Sequence, residues 1–484
     1  MSWIKRVREN FHKENGKKEK TENGRTGDRG KEKQWEIGLL IVCLGFYLFF
    51  PFYDGPVWCR DSMSYASMDI TREPLYPTLL WLFRNLFGEE RYLMPVVLLQ
   101  SVLMAYAAWK LAVTVKKYKG DSRFLAALAA GFQFCVVLLN RLAARRGSSY
   151  TVSIMTEGLG FPLYVLFVVQ LYRYIMEGKR RNLAGTACLA FLLVNLRKQM
   201  LLTLCMMAAV FILYFLVKKR EPGKLACLLL LTAALLFAGK LTDRLYNYCV
   251  RGEWMEHAGN STGVLCTLIY TAEETDAALF QDETLKAFYE EIYARADAEG
   301  LNMAYAPEGW VGLTTHYADS YDAIGYGIVQ PVIQEYIRGH GDENPVQEAL
   351  RLDAYCRDMT RTLLGQKKGK IIRVVSANIW KGFVNSVARV NRFLNLYALL
   401  AYLLYIGLYV AGVRRRRCWN RPDETASFAE LVFIGLGINC GVVGVTIFTQ
   451  PRYMIYSMGL FYCALAVLLY DAAENLREKK RGRR

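Results

Sequence analysis

Ten stretches of this chain are each apolar over about the length of helix, roughly 20 residues, that crosses a bilayer. They run approximately 36–53, 93–115, 124–139, 151–172, 183–196, 200–217, 225–241, 393–413, 427–449 and 454–470. The overall composition, 53% hydrophobic and 22% charged, would suit a soluble enzyme, but here the apolar residues are gathered into blocks separated by short basic segments. That segregation excludes a soluble globule. Abundant aromatic residues and the lack of a running repeat exclude a disordered or fibrous chain. The expected fold is an all-α polytopic membrane protein of about ten transmembrane helices. Only Arg197, Lys198 and Gln199 separate block 183–196 from the next, so those two also read as a re-entrant pair.

The formal charge of +17 would elsewhere suggest nucleic acid. Here the excess sits in tails and in alternate loops, those starting at Lys116, Arg173, Lys218 and Arg414, so membrane topology explains it and no nucleic-acid partner is expected. The bias predicts both termini in the cytoplasm, basic loops against anionic lipid headgroups, and a first block that acts as an anchor because no cleavage signal surrounds it. A bacterial plasma membrane is the working localisation. The chain then divides into a basic tail 1–35, a transmembrane module 36–241 carrying a first outer loop 54–92, a mainly helical outer segment 242–392, closing transmembrane helices 393–470 and a basic tail 471–484. Within the outer segment, Asn344 followed by Pro345 reads as a capped helix start and Gly365 as its end. The amphipathic stretch 371–390 reads as a helix lying along the membrane interface.

Cysteine and histidine carry little chemistry here. Most cysteines fall inside the apolar blocks, where a thiol behaves as a small apolar group. Cys59, Cys249, Cys266 and Cys356 lie on the outer side, without the spacing of a disulfide framework. His12, His257, His316 and His340 are too scattered for a zinc site.

The charged residues on the outer side are more informative. Asp54, Asp61, Asp69 and Glu73 crowd the first outer loop, where a carboxylate could accept a proton from a hydroxyl or help hold a cation near a phosphate; composition alone would also allow ordinary solvated acids. Arg72, Arg141, Arg145, Arg146, Arg197, Lys198 and Arg452 fall at outer ends of the blocks, against the positive-inside trend. Snorkelling accounts for any one of them, and an anionic phosphate in the headgroup zone accounts for the group, since guanidinium presents a planar fork of donors. Glu157, just inside the outer end of the fourth block, is costly there unless it faces the bundle or a wet cavity.

In order along the chain, AspSerMetSerTyr at 61–65, ArgGluProLeuTyrPro at 72–77, ThrGlu at 156–157, LeuArg at 196–197 and ArgTyr at 452–453 resemble the GT-C superfamily of membrane glycosyltransferases. That superfamily includes the protein O-mannosyltransferases and the lipid A aminoarabinose transferases. The resemblance covers about 36–217 and the last two blocks, and leaves 242–392 unaccounted for. It implies a donor sugar on polyprenyl phosphate and a glycan, lipid or protein acceptor, with Asp61 as general base or metal-associated carboxylate and Glu157 as a second catalytic acid. It further implies Tyr65, Arg72, Tyr76, Arg197, Arg452 and Tyr453, with Arg141, Arg145, Arg146 and Lys198, around the substrates. Better-known members carry AspGlu in the first loop where this chain has Asp61 and Ser62, which leaves a divalent metal and the role of Asp61 open. Displacement by an acceptor hydroxyl would invert the anomeric centre. Two other activities fit the blocks: a polysaccharide polymerase or ligase with catalytic residues in the large loop, and a transporter or flippase. The latter needs mid-membrane charge, whereas Lys240 and Glu430, the main embedded charges, lie near block ends.

Overall fold

The computed structural model describes residues 30–143, 148–259, 261–341, 344–365, 368–416 and 423–481. Arg145, Arg146 and Cys418 lie outside the described residues. Those described form eighteen helices and no strand. Helices α1 (Gly30–Asp54), α4 (Leu93–Tyr118), α5 (Arg123–Ala143), α6 (Thr156–Glu177), α7 (Arg180–Leu196), α8 (Leu202–Phe211, continued by a π-helical turn Ile212–Lys218) and α9 (Pro222–Arg251) precede the outer segment. Helices α16 (Arg392–Arg416), α17 (Glu424–Thr446) and α18 (Pro451–Arg481) follow it. The first outer loop contributes α2 (Ser62–Ala66) and α3 (Leu75–Phe87). The outer segment contributes α10 (Thr262–Tyr270), α11 (Glu283–Ala298), α12 (Gly309–Asp322), α13 (Gln330–Gly339), α14 (Pro345–Leu364) and α15 (Lys368–Asn385).

Nine helices among the described residues are long and apolar enough to cross a membrane, as a multi-pass protein requires. The tenth expected block, α7, has 17 residues and is shorter than these. It nevertheless runs antiparallel to α6 over its full depth. At one end the Asn182 amide donates to Glu177 at 3.3 Å, and at the other Arg197 pairs with Glu157 at 2.5 Å. The end residues of α6, α7 and α8 that include Glu157, Arg197 and Lys198 are thereby brought to one end of the bundle.

The opposite end is ringed by ion pairs: Lys116 with Glu32 and Glu36, Lys117 with Glu177, and Asp471 with Arg415 and Arg416. Helix α1 starts and α18 finishes at this end. The embedded Glu430 is held there by Lys218 at 2.5 Å and by the Tyr409 hydroxyl at 2.7 Å, and Lys240 meets Glu256 at 3.3 Å. Glu430 and Lys240 are thus each met by an opposite charge, as a low-dielectric setting demands.

Helix α6 is apolar on every face and forms the centre of the bundle, buried through nearly its whole length. Its glycines make room for close neighbours: a Cβ on Gly158 would meet the Gln100 amide at 2.5 Å. A second core, built from side chains such as Leu265, Tyr270, Phe288, Ile333 and Cys356, belongs to the outer segment and closes over Phe448 from the α17–α18 loop. The boundary expected at 242 falls inside α9, which continues to Arg251, so the outer helices begin beyond it. Asn344 caps α14 as expected, its side chain accepting from the Gln347 N–H at 2.9 Å, and Gly365 follows the last turn. All described cysteines are free thiols.

The stretch expected to lie on the interface forms helix α15 and the turn after it. Helix α15 packs into the bundle against α17, with the Asn378 amide donating to the Gly444 and Ile447 carbonyls at 3.0 and 2.8 Å and Gly382 against Cys440. Asn378 of this helix and Ser386 just beyond its end face helix α17. Gly444 allows the approach, because a Cβ there would lie 2.4 Å from Ile379 Cγ1 and 3.1 Å from its backbone. Gly444→Ala is therefore expected to destabilise the protein by about 1–3 kcal/mol through overpacking, read as a lower thermal midpoint in detergent. Gly437→Ala on the same helix, where a Cβ meets nothing within 4 Å, is expected to be neutral or stabilising.

Candidate active site

The first outer loop is clamped to the segment that leads into α6. Val57 exchanges backbone hydrogen bonds with that segment, its N–H donating to Val152 at 2.8 Å and its carbonyl accepting from Ile154 at 3.0 Å. Ser62, the residue that departs from the paired-acid motif, is fully buried and donates to the Ile154 carbonyl at 2.8 Å. Its hydroxyl also accepts from the Cys59 N–H at 2.8 Å. Ser62 is thus spent on holding the loop, and Asp61 beside it is turned outward.

Asp61 stands between two guanidinium groups. Arg72 reaches one carboxylate oxygen at 3.5 Å and Arg452 the other at 3.3 Å, each of the three side chains being a little under one-third exposed. Arg72 is oriented by the Ser64 hydroxyl at 2.8 Å and lies over the Tyr65 ring, 4.6 Å from its centroid. Burial pushes the Tyr65 phenol above its ordinary range, so it stays protonated. Tyr76 packs edge-on against Tyr65 and donates to Gln100 at 2.9 Å, while Gln100 donates to the Thr151 and Ser153 carbonyls. Tyr76 therefore supports the wall and its hydroxyl is engaged within the protein.

Behind this layer lies a second ion pair. Glu157, in the first turn of α6, is 1% exposed; one of its oxygens accepts from Arg197 at 2.5 Å and the other from Thr156 at 3.3 Å. An acid at a helix N-terminus is favoured by the helix dipole, and here it also fixes the guanidinium that ends α7. The Tyr453 ring joins the layers, with Arg197 and Arg452 at 5.0 and 4.9 Å from its centroid and its hydroxyl accepting from Arg452 at 2.9 Å. Its carbonyl accepts from the Gln199 and Asn439 amides at 2.9 and 3.0 Å.

Asp61, Tyr65, Arg72, Tyr76, Glu157, Arg197, Arg452 and Tyr453 therefore form one connected group. Arg141 does not join it; it pairs with Asp54 and lies over the Phe50 and Tyr53 rings, tying α5 to α1. The Lys198 backbone N–H donates to Glu73. Glu73 was named only among the first-loop acids, and Gln199 and Asn439 were not singled out from the sequence. The signal for these two was an amide beside or within an apolar block, which calls for a partner. Among the described residues no group of three or more His, Cys, Asp or Glu side chains could hold a metal ion. The surroundings of Asp61 are cationic and suit an anion.

No family model matches the sequence, and no curated protein matches it. Among solved structures, the archaeal oligosaccharyltransferase AglB from Archaeoglobus fulgidus, in complex with an inhibitory peptide and a dolichol-phosphate, is similar with 12% identity and a TM-score of 0.44 over 93% of this chain and 52% of that one. This chain spans about half the length of that structure. ArnT from Cupriavidus metallidurans, bound to undecaprenyl phosphate, is similar with 12% identity and a TM-score of 0.29 over 91% of this chain and 78% of that one. Likeness at this level leaves the reaction to the geometry of the site.

Removing one partner of a buried ion pair strands the other charge, at about 3–5 kcal/mol. Glu157→Gln is expected to lower the unfolding free energy by about that amount, measured by thermal or denaturant unfolding in detergent. Adding Arg197→Met to it is expected to restore much of the loss.

Proposed function

We propose that this protein is a membrane glycosyltransferase that moves a sugar from a polyprenyl-phosphate donor to a glycan, lipid or protein acceptor at the outer face of the membrane. The supporting observation is the charge of the site: Arg72, Arg197 and Arg452 face Asp61 and Glu157, an excess of one positive charge around a carboxylate that water and substrates can reach. A donor phosphate supplies the missing negative charge.

The reaction follows from these groups. The pairs that Asp61 makes are long and partly exposed, a class of ion pair worth about 0–1 kcal/mol, so an arriving phosphate exchanges readily for Asp61 on Arg72 and Arg452. The carboxylate is then free to take the proton of an acceptor hydroxyl. That oxygen attacks the anomeric carbon as the bond to the phosphate oxygen breaks, and the polyprenyl phosphate leaves with its charge held by the two guanidinium groups. A single displacement inverts the anomeric centre. Glu157 is sealed against Arg197 and acts as a positioning residue, keeping Arg197 and the Tyr453 ring in place behind the reacting groups. Arg145 and Arg146 stay with the sequence-based proposal of phosphate contacts. The lipid tail of the donor would lie between spans near the outer end, and the basic loops put both chain termini in the cytoplasm of a cell whose plasma membrane holds the protein.

Asp61→Asn is expected to lower transfer by about 10²–10⁴-fold, the usual contribution of a general base, while the purified protein still binds undecaprenyl phosphate. Arg452→Ala is expected to weaken that binding about tenfold or more, the worth of a charge-assisted hydrogen bond. Transfer by the Asp61→Asn protein at the wild-type rate would remove the base assignment.

A further inference from the structure

The two charged layers of the site meet a third group that sequence spacing hid. Glu73 follows Arg72 directly, and its carboxylate accepts from the backbone N–H of Lys198, the residue after Arg197. One side chain thereby touches the loop that carries Arg72 and the turn that carries Arg197. On its other side stands His257, from the strap between α9 and α10, with Nε2 at 3.9 Å from the Glu73 carboxylate. His257 is itself gripped by Asp243 of α9, whose Oδ2 lies 2.6 Å from Nδ1 and accepts from the His257 N–H at 3.0 Å. The strap is stitched to the first outer loop along the same stretch: Arg251 donates to the Met68 carbonyl, and the Ala258 N–H donates to the Ile70 carbonyl at 3.0 Å.

Resting on the functional reading above, we propose that His257 is a positioning residue of this site: in its protonated form it holds Glu73, and through Glu73 it keeps the Arg72 and Arg197 segments in register for the donor phosphate.

A neutral imidazole has no charge for Glu73, whereas an imidazolium between Asp243 and Glu73 satisfies both carboxylates. The groups facing it are Asp243 from α9, Glu73 from the first outer loop, and Lys198 from the α7–α8 turn. Asp353 of α14 lies further along the strap, where it accepts from the Gly259 and Ser261 N–H groups at 2.9 and 3.1 Å. Glu256, which precedes His257 in the chain, is taken up by Lys240 and Arg244. Burial disfavours the charged ring, but the Asp243 hydrogen bond and the Glu73 and Asp243 charges outweigh burial and the opposing Lys198, so the imidazole is raised above its ordinary 6.5. The sign follows: a raised group contributes fully below its unfolded value, and the contribution is lost as pH rises through the folded value. The site is therefore engaged on the acidic side and loosens as pH rises through the raised value.

The test is the affinity of the full-length protein in detergent for undecaprenyl phosphate from about pH 6 to about pH 9, a window chosen to bracket a raised imidazole. Wild type is expected to weaken about tenfold across it, a change of about 1.4 kcal/mol. His257→Gln is expected to bind at the weak, high-pH level throughout, His257→Lys at the strong level throughout, and the control His340→Gln to titrate like wild type. Independently of any ligand, NMR of histidine-labelled protein should show His257 titrating above its ordinary value and falling with Glu73→Gln. A flat wild-type affinity, a His257→Gln protein that titrates like wild type, or a His257 value untouched by Glu73→Gln overturns the proposal. If no variant binds the lipid at any pH, the functional reading itself falls and this inference with it, even where the NMR coupling is seen.

Discussion

A carboxylate sealed inside a helix bundle has to be answered by a cation in the same place, and the pairing of Glu157 with Arg197 at 2.5 Å is the contact around which the outer end of this protein is arranged. It joins the first turn of α6 to the last residue after α7, so the central helix and its antiparallel neighbour are locked in register. Because Thr156, Tyr65 and Tyr453 pack on the pair, the same contact sets where the first outer loop and the start of α18 come to rest. Asp61, Arg72 and Arg452 stand one layer further out on this foundation, where pairs are looser and solvent can enter.

This layering separates two tasks that charged residues perform in a membrane protein. The inner pair is buried, satisfied on both sides and structural in its energetics. The outer trio is partly hydrated and carries pairs weak enough to be exchanged for a ligand. A phosphate-linked sugar needs the second kind of site resting on the first, since preorganised cations stabilise a leaving phosphate only if they need not move to meet it. The outer segment contributes by packing on the same loop: Arg251, His257 and Ala258 all engage residues between Met68 and Glu73.

Much of this was legible from pattern alone. Long apolar blocks named the spans, because hydrocarbon admits little else, and arginines against the positive-inside trend pointed to the end of the bundle where Arg72, Arg197 and Arg452 gather. Capping at Asn344 was readable since it depends on neighbours three residues apart. What could not be read were contacts set by packing. Glu157 looks like a second catalytic acid in the sequence, and its depth and its engaged oxygens, which support the positioning role proposed for it, come from packing alone. Arg141 shares its sign and sidedness with Arg452, yet Asp54 is its nearest partner. Helix α15 has the amphipathic pattern of an interfacial helix, and the contacts of Asn378 with α17 and the loop after it are not encoded in that pattern. The meeting of Glu73 with His257, far apart in the chain, follows from how α9 ends and returns, which no local signal encodes.

The central claim is that this chain consumes a polyprenyl-phosphate sugar. The most direct measurement compares, by mass spectrometry, the lipid-linked sugars and surface glycans of cells lacking the chain with those of cells in which it is restored. The account predicts that one polyprenyl-phosphate sugar accumulates and one sugar disappears from the surface when the chain is absent, both reversing on restoration. Identical lipid-linked sugars and identical glycans in the two strains would contradict it.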